Sequence, residues 1–69
     1  MDNFFLLTLP DGRGLALNST YVVIAEEDHD GNMVFTLNNG RLVHTISKFD
    51  DLWDEGDEFP PNIFFNRGN

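Results

Sequence analysis

The dipeptide Asn39-Gly40 narrows what this chain can fold into more than any other feature. It sits between two runs of alternating apolar and polar residues, Met33 to Asn38 and Arg41 to Ile46. Asn-Gly in that setting predicts a β-hairpin closed by a two-residue type I′ turn, which needs positive φ at both central positions. Two-residue geometry pairs Leu37 with Leu42, Phe35 with His44 and Met33 with Ile46. The expected buried face is therefore Met33, Phe35, Leu37, Leu42, His44 and Ile46. Val34, Thr36, Asn38, Arg41, Val43 and Thr45 are expected on the other.

The same period of two runs through the rest of the chain, broken by turn residues every eight to ten positions. A first strand is expected over 3–9, ending at Pro10-Asp11-Gly12, where proline presets φ and glycine supplies the permissive position of a turn. A short strand over 14–17 returns from it, and the polar Asn18-Ser19-Thr20 interrupts the pattern. Tyr21-Val22-Val23-Ile24-Ala25 is the clearest strand by propensity. Ser47 is the expected N-cap of a short helix from Lys48 to Trp53, with Asp50 and Asp51 in its first turn where acids suit the dipole. Gly56 and Pro60-Pro61 stop that helix. Asn62-Ile63-Phe64-Phe65-Asn66 reads either as a last strand or as an extended segment that docks on the sheet or on a partner.

Sixty-nine residues make one domain, taken here as 1–69, with an acidic, proline-containing stretch at 54–62 leading to an apolar C-terminal segment. A chain this short buries only about 60% of its unfolded surface. With no cysteine, disulfides and thiolate metal sites are excluded, and self-association is the expected way to enlarge the core. The fold class expected is all-β or mainly β. It comprises five to six short antiparallel strands in a bent sheet or small barrel, with one short helix near Lys48 to Trp53. Phe5, Leu7, Leu9, Leu15, Val23, Met33, Phe35, Leu37, Leu42, Ile46, Phe49, Leu52 and Trp53 are the expected core.

Charge is the outlying property: four Lys and Arg against twelve Asp and Glu, a formal net charge of −8. Such a surface repels nucleic acid and anionic lipid and attracts basic protein surfaces. Met1-Asp2-Asn3 places an acid where a signal peptide needs a basic region, and no stretch approaches the ~18 apolar residues of a membrane span. A cytoplasmic location follows as the expectation.

Little in the sequence points to catalysis. Ser19 and Ser47 stand on no nucleophile elbow, and the two histidines are His29 in an acidic turn and His44 on a strand. A non-enzyme without cofactor or metal is expected. Glu26-Glu27-Asp28-His29-Asp30-Gly31 has carboxylates at alternate positions and a glycine sixth, as in a calcium loop, but its twelfth position is Leu37 rather than glutamate. It reads as a solvated acidic hairpin turn.

The acidic run is more informative. Asp50, Asp51, Asp54, Glu55, Asp57 and Glu58 are interleaved with Phe49, Leu52, Trp53 and Phe59. Acids around large aromatics match a basic protein groove with apolar pockets. With Glu26, Glu27, Asp28 and Asp30 they form two clusters on one β scaffold, and carboxylates at fixed spacing can stand in for phosphates. The expected partner-binding residues are these acids together with Trp53. The expected partner is a basic surface of a nucleic-acid-binding protein, with no direct contact to nucleic acid or membrane. A second class remains open: an assembly subunit joined through Phe59, Ile63, Phe64 and Phe65.

In size, charge and lack of cysteine the chain is similar to the small acidic inhibitors that phages and mobile elements use against restriction or CRISPR systems, some of which mimic DNA. The resemblance implies a non-enzymatic inhibitor acting in a host cytoplasm. Leu17-Asn18 through Ile24, Val34-Phe35-Thr36-Leu37-Asn38-Asn39-Gly40 and Phe49-Asp50-Asp51-Leu52 resemble the small flagellar-operon protein FlbD over about half the chain, although the long acidic tail departs from that family. Phe49-Asp50-Asp51-Leu52-Trp53 resembles the F-x-x-L-W core of acidic transactivation peptides, without the further leucine found there.

Overall fold

Three hairpin turns share one hydrogen-bonding pattern, and that pattern sets the register of the strands between them. In the computed structural model, which describes residues 4–53, 56 and 60–66, the amides of Leu9, Asp28 and Leu37 donate to the carbonyls of Arg13, Asn32 and Arg41. Within the same turns, Gly12, Gly31 and Gly40 donate back to the carbonyls of Leu9, Asp28 and Leu37. Each glycine has positive φ, between 83° and 90°, and no non-glycine among the described residues does. These are three-residue loops, a type I turn closed by a glycine bulge.

The described residues form six strands, β1 (Phe4–Thr8), β2 (Gly14–Asn18), β3 (Val22–Glu27), β4 (Asn32–Leu37), β5 (Leu42–Lys48) and β6 (Phe64–Asn66). A 3-10 turn (Ser19–Tyr21) precedes β3, with the Asn18 side chain accepting from the Thr20 amide. One helical turn, α1 (Phe49–Leu52), follows β5. The fold is mainly β, as the alternation requires, but no closed barrel forms among the described residues. β1 and β2 make a hairpin sheet, and a second, open sheet has the order β5-β4-β3-β6.

Several expectations are corrected. The Asn39-Gly40 turn is not type I′, because Asn39 keeps negative φ, and the loop therefore has three residues. The strands consequently pair one position away from two-residue geometry: Phe35 lies opposite Val43, Val34 opposite His44 and Thr36 opposite Leu42. A one-residue slip turns a strand over. Leu42, His44 and Ile46 face solvent, and Thr45 and Ser47 are buried in their place. Val23 also lies outside the core, beside a bulge between Val22 and Ile24, and Val22 is buried instead.

The C-terminal segment does form a strand, but a parallel one: β6 pairs with β3, Ile24 opposite Phe64 and Ala25 opposite Phe65. It is not part of an all-antiparallel arrangement. Ser47 is not the helix N-cap. It ends inside β5, and Lys48 takes the cap position, its amide donating to Asp51 Oδ2 at 3.0 Å.

The buried polar pair Thr45 and Ser47 is fully partnered. Thr45 Oγ1 donates to the Met33 carbonyl at 2.7 Å, and the Ser47 amide donates to Thr45 Oγ1 at 3.1 Å. Ser47 Oγ accepts from the Thr8 amide, joining the hairpin to the edge of the larger sheet. Between the sheets lie Leu7, Val22, Ala25, Met33, Phe35, Trp53 and Ile63. Aromatic rings knit the layers together. Phe5 stacks on Phe35 at 5.3 Å and meets Trp53 edge-on at 5.2 Å, and Phe49 and Phe65 close around the same indole. Such offset and edge contacts contribute about 0.5–1.5 kcal/mol each beyond burial.

Candidate functional site

The two acidic clusters, far apart in sequence, share one end of the larger sheet. β3 carries Glu26 and Glu27 into the turn holding Asp28 and Asp30, and the antiparallel return places Asn32 opposite Lys48. Because α1 starts directly after Lys48, Asp50 and Asp51 rise at that same end. Lys48 Nζ ties the clusters together, donating to the Asp30 carbonyl at 3.0 Å and to Asn32 Oδ1 at 2.8 Å.

The predicted site residues differ in what their side chains do there. Asp30, Asp50 and Asp51 are exposed, and Glu26 and Glu27 are half-buried. Asp28 is turned inward on its own loop, its Oδ1 accepting from the amides of Asp30 and Asn32, both at 2.9 Å. The Asn32 amide is the main cause that holds the Asp28 carboxyl below the usual carboxylate range. Burial opposes it, and the Asp30 amide, His29 and Lys48 add to it. Asp51 spends one oxygen on the Lys48 amide. Asp54, Glu55, Asp57 and Glu58 lie outside the described residues.

Trp53, expected at a partner-binding surface, is buried. It is 7% exposed and fixed among Phe5, Phe49 and Phe65. The F-x-x-L-W segment is thus folded into the domain and not displayed. The C-terminal apolar residues divide likewise: Ile63 is buried, Phe65 is half-buried against Phe49, and of these three only Phe64, 72% exposed, faces solvent. Phe59 lies outside the described residues.

Sequence reasoning missed the outer face of the sheet beside the acids. Glu26, Val34 and His44 stand in one row across β3, β4 and β5. They floor a shallow depression of about 340 Å3 with Glu27, Asp28 and Leu42 at its rim. Only the true register of β5 brings His44 here, so a two-residue turn hid it.

Among the described residues the cations are placed elsewhere or occupied. Arg13 is paired with Asp11 at 2.6 Å, and Arg41 sits at the opposite end of the sheet from the acids. Among the described residues no three His, Asp or Glu side chains converge as metal ligands, and no helix is long and apolar enough to cross a membrane. Ser19 is buried in the 3-10 turn and the Ser47 hydroxyl is taken by Thr8. Compared with protein-family models, curated proteins and solved structures, the chain gives no significant match.

Proposed function

We propose that this domain is a non-enzymatic, acidic binding module that occupies a basic, nucleic-acid-binding surface of a partner protein. The observation behind this reading is the convergence of Glu26, Glu27, Asp30, Asp50 and Asp51 at one end of a hydrogen-bonded sheet, on a chain of net charge −8. Carboxylates held on a ladder keep their spacing, and a groove built to bind phosphates responds to regularly placed negative charge. The run Asp54, Glu55, Asp57 and Glu58 follows α1 and extends the same sign of charge. In this reading the module acts in the manner of the small acidic inhibitors of restriction or CRISPR nucleases, in the cytoplasm of a host cell.

The test is capture of partners from lysate at low salt, followed by elution with salt and, separately, with duplex DNA. Partners of this kind leave the domain as salt rises, and DNA displaces them at constant ionic strength. A variant with Glu26→Lys, Asp30→Lys and Asp50→Lys should lose them. Partners that resist both DNA and the charge-reversed variant would overturn the reading.

The second reading, an assembly subunit joined through its C-terminal aromatics, rests on Phe64 alone among the described residues. Phe64→Ser should then abolish assembly and leave the acidic interactions intact.

A further inference from the structure

The hydrogen-bond alternation of the hairpin leaves a bare edge on β2. Leu9 donates to Arg13 at the turn, so Leu7–Leu15 and Phe5–Leu17 are the bonded pairs of this antiparallel ladder. Thr8–Gly14, Leu6–Ala16 and Phe4–Asn18 are the non-bonded pairs, whose amides and carbonyls point away from the hairpin. On the β1 side this is seen directly: the Thr8 amide points outward and is met by Ser47 Oγ. On the β2 side the corresponding groups belong to Gly14, Ala16 and Asn18, and among the described residues no strand pairs with them.

Edges of this kind are usually blunted by a charge, a proline, a bulge or shortness. β6 is only three residues long, and β5 has Ser47 and β1 against it. The segment Gly14-Leu15-Ala16-Leu17-Asn18 carries no charge and no proline, and its pairing with β1 has no bulge.

Beneath that edge lies an unfilled apolar groove of about 390 Å3. Leu15 and Leu17 form one wall, and Leu9, Leu37, Leu42 and Val43 complete it.

We propose that the β2 edge pairs with the β2 edge of a second copy of this chain, antiparallel and centred on Ala16. The segment has the same pattern read from either end: a small residue, leucine, alanine, leucine, a small residue. It is therefore complementary to its own reversed copy. With Ala16 opposite Ala16 of the partner copy, the outward groups of Ala16 pair with each other and the Asn18 amide donates to the Gly14 carbonyl, while the Asn18 carbonyl already closes the 3-10 turn. Leu15 then falls opposite Leu17 in a non-bonded pair, where Cα atoms approach to about 4.5 Å and side chains pack closely. Each copy covers the other's groove.

Charge distribution permits this despite the −8 on each chain. β2 has no ionisable side chain, and Asp11 in the adjoining turn is neutralised by Arg13 at 2.6 Å. Asp30, Asp50 and Asp51 stand at the end of the larger sheet away from Leu37, and Glu26, Glu27 and Asp28 border the groove's neighbourhood only across Leu42 and His44, on the outer face of the sheet. The inference stands independently of the acidic-end reading.

The chain has no native cysteine, so single-cysteine variants report position cleanly. The experiment combines sedimentation velocity over a concentration series with oxidation of the full-length Ala16→Cys and Phe64→Cys variants. The expected result is a reversible dimer that Ala16→Cys traps as a disulfide, since a bonded antiparallel pair sets Cα atoms about 5.5 Å apart. Phe64→Cys should stay uncrosslinked. Ala16→Lys should weaken dimerisation at least tenfold while keeping the β-type circular dichroism spectrum. If Ala16→Lys fails to fold, the Ala16→Cys result decides. A chain that stays monomeric throughout, a dimer trapped through Phe64→Cys and not Ala16→Cys, or a monomer whose β2 edge takes a strand from another protein would each overturn the proposal.

Discussion

The hydroxyl of Ser47 accepts a hydrogen bond from the amide of Thr8 at 2.9 Å, across 39 positions of sequence. It is the side-chain bond that ties the hairpin to the edge of the larger sheet, and Ser47 is buried. Ser47→Ala leaves the Thr8 amide without this partner and should cost about 1 kcal/mol. Thermal unfolding should show a fall of about 4–8 °C for a domain of this size. No change in melting would mean that water replaces the hydroxyl without penalty.

Trp53 decides between core and docking surface by a different measurement. Truncating an aromatic that touches Phe5, Phe49 and Phe65 should cost about 3–5 kcal/mol. Because small domains hold little more than that in reserve, Trp53→Ala should be largely unfolded at 37 °C by near-ultraviolet circular dichroism. A folded Trp53→Ala that loses only partner binding would reverse the assignment.

The shared turn geometry predicts that one loop tolerates another's sequence. Pro10 occupies the first loop position in Leu9-Pro10-Asp11-Gly12-Arg13, and His29 occupies the same position in Asp28-His29-Asp30-Gly31-Asn32. The pair His29 and Asp30, 3.7 Å apart and exposed, adds little. His29→Pro should therefore be stabilising by about 0.4–1 kcal/mol, through restriction of the unfolded chain. Urea unfolding reads the sign.

Gly40→Ala should act in the opposite sense. A methyl group at this position would meet nothing within 4 Å, so the cost is that of φ +88° alone, about 1–2 kcal/mol. Asn39→Ala loses only the bond its side chain accepts from the Arg41 amide, and should cost less. If the two costs are reversed in urea unfolding, the turn has adopted type I′ geometry.

Asp28 makes the β3–β4 turn sensitive to acid. Its carboxyl is held below the ordinary value, first by the Asn32 amide and also by the Asp30 amide. A depressed folded pKa contributes stability that is complete above the unfolded value, about 3.9, and is lost as pH falls through the folded one. The amide resonances of Asp30 and Asn32 should share a transition below about pH 4. Asp28→Asn keeps an oxygen acceptor and should remove that transition.

How much of this was legible in the sequence depends on which residues carried the signal. The turns announced themselves at Gly12, Gly31 and Gly40, and the strands between them followed. The register did not, because Asn39-Gly40 suits both a two-residue and a three-residue loop, and the apolar Leu42 and Ile46 favoured the wrong one. The three-residue loop is matched by the partnering of Thr45 with Met33 across the hairpin and of Ser47 with Thr8, 39 positions away, which the local sequence does not display. The same limit hid Val22, Ala25 and Ile63 as core and made Trp53 look available. The acids were legible as a composition. Their gathering at one end depended on Lys48 facing Asn32, which only the folded register provides.

The parallel pairing of β6 with β3 has a kinetic consequence for biosynthesis. β3 leaves the ribosome early, whereas Phe64 and Phe65, which complete its far edge and the ring cluster around Trp53, are the last described elements to emerge. Until then the nascent chain holds five strands, an unpaired flank on β3 and a half-made aromatic core. Exchange of this short strand between chains is thus the error to which vectorial synthesis exposes the domain, and delay after α1 is where it would be made.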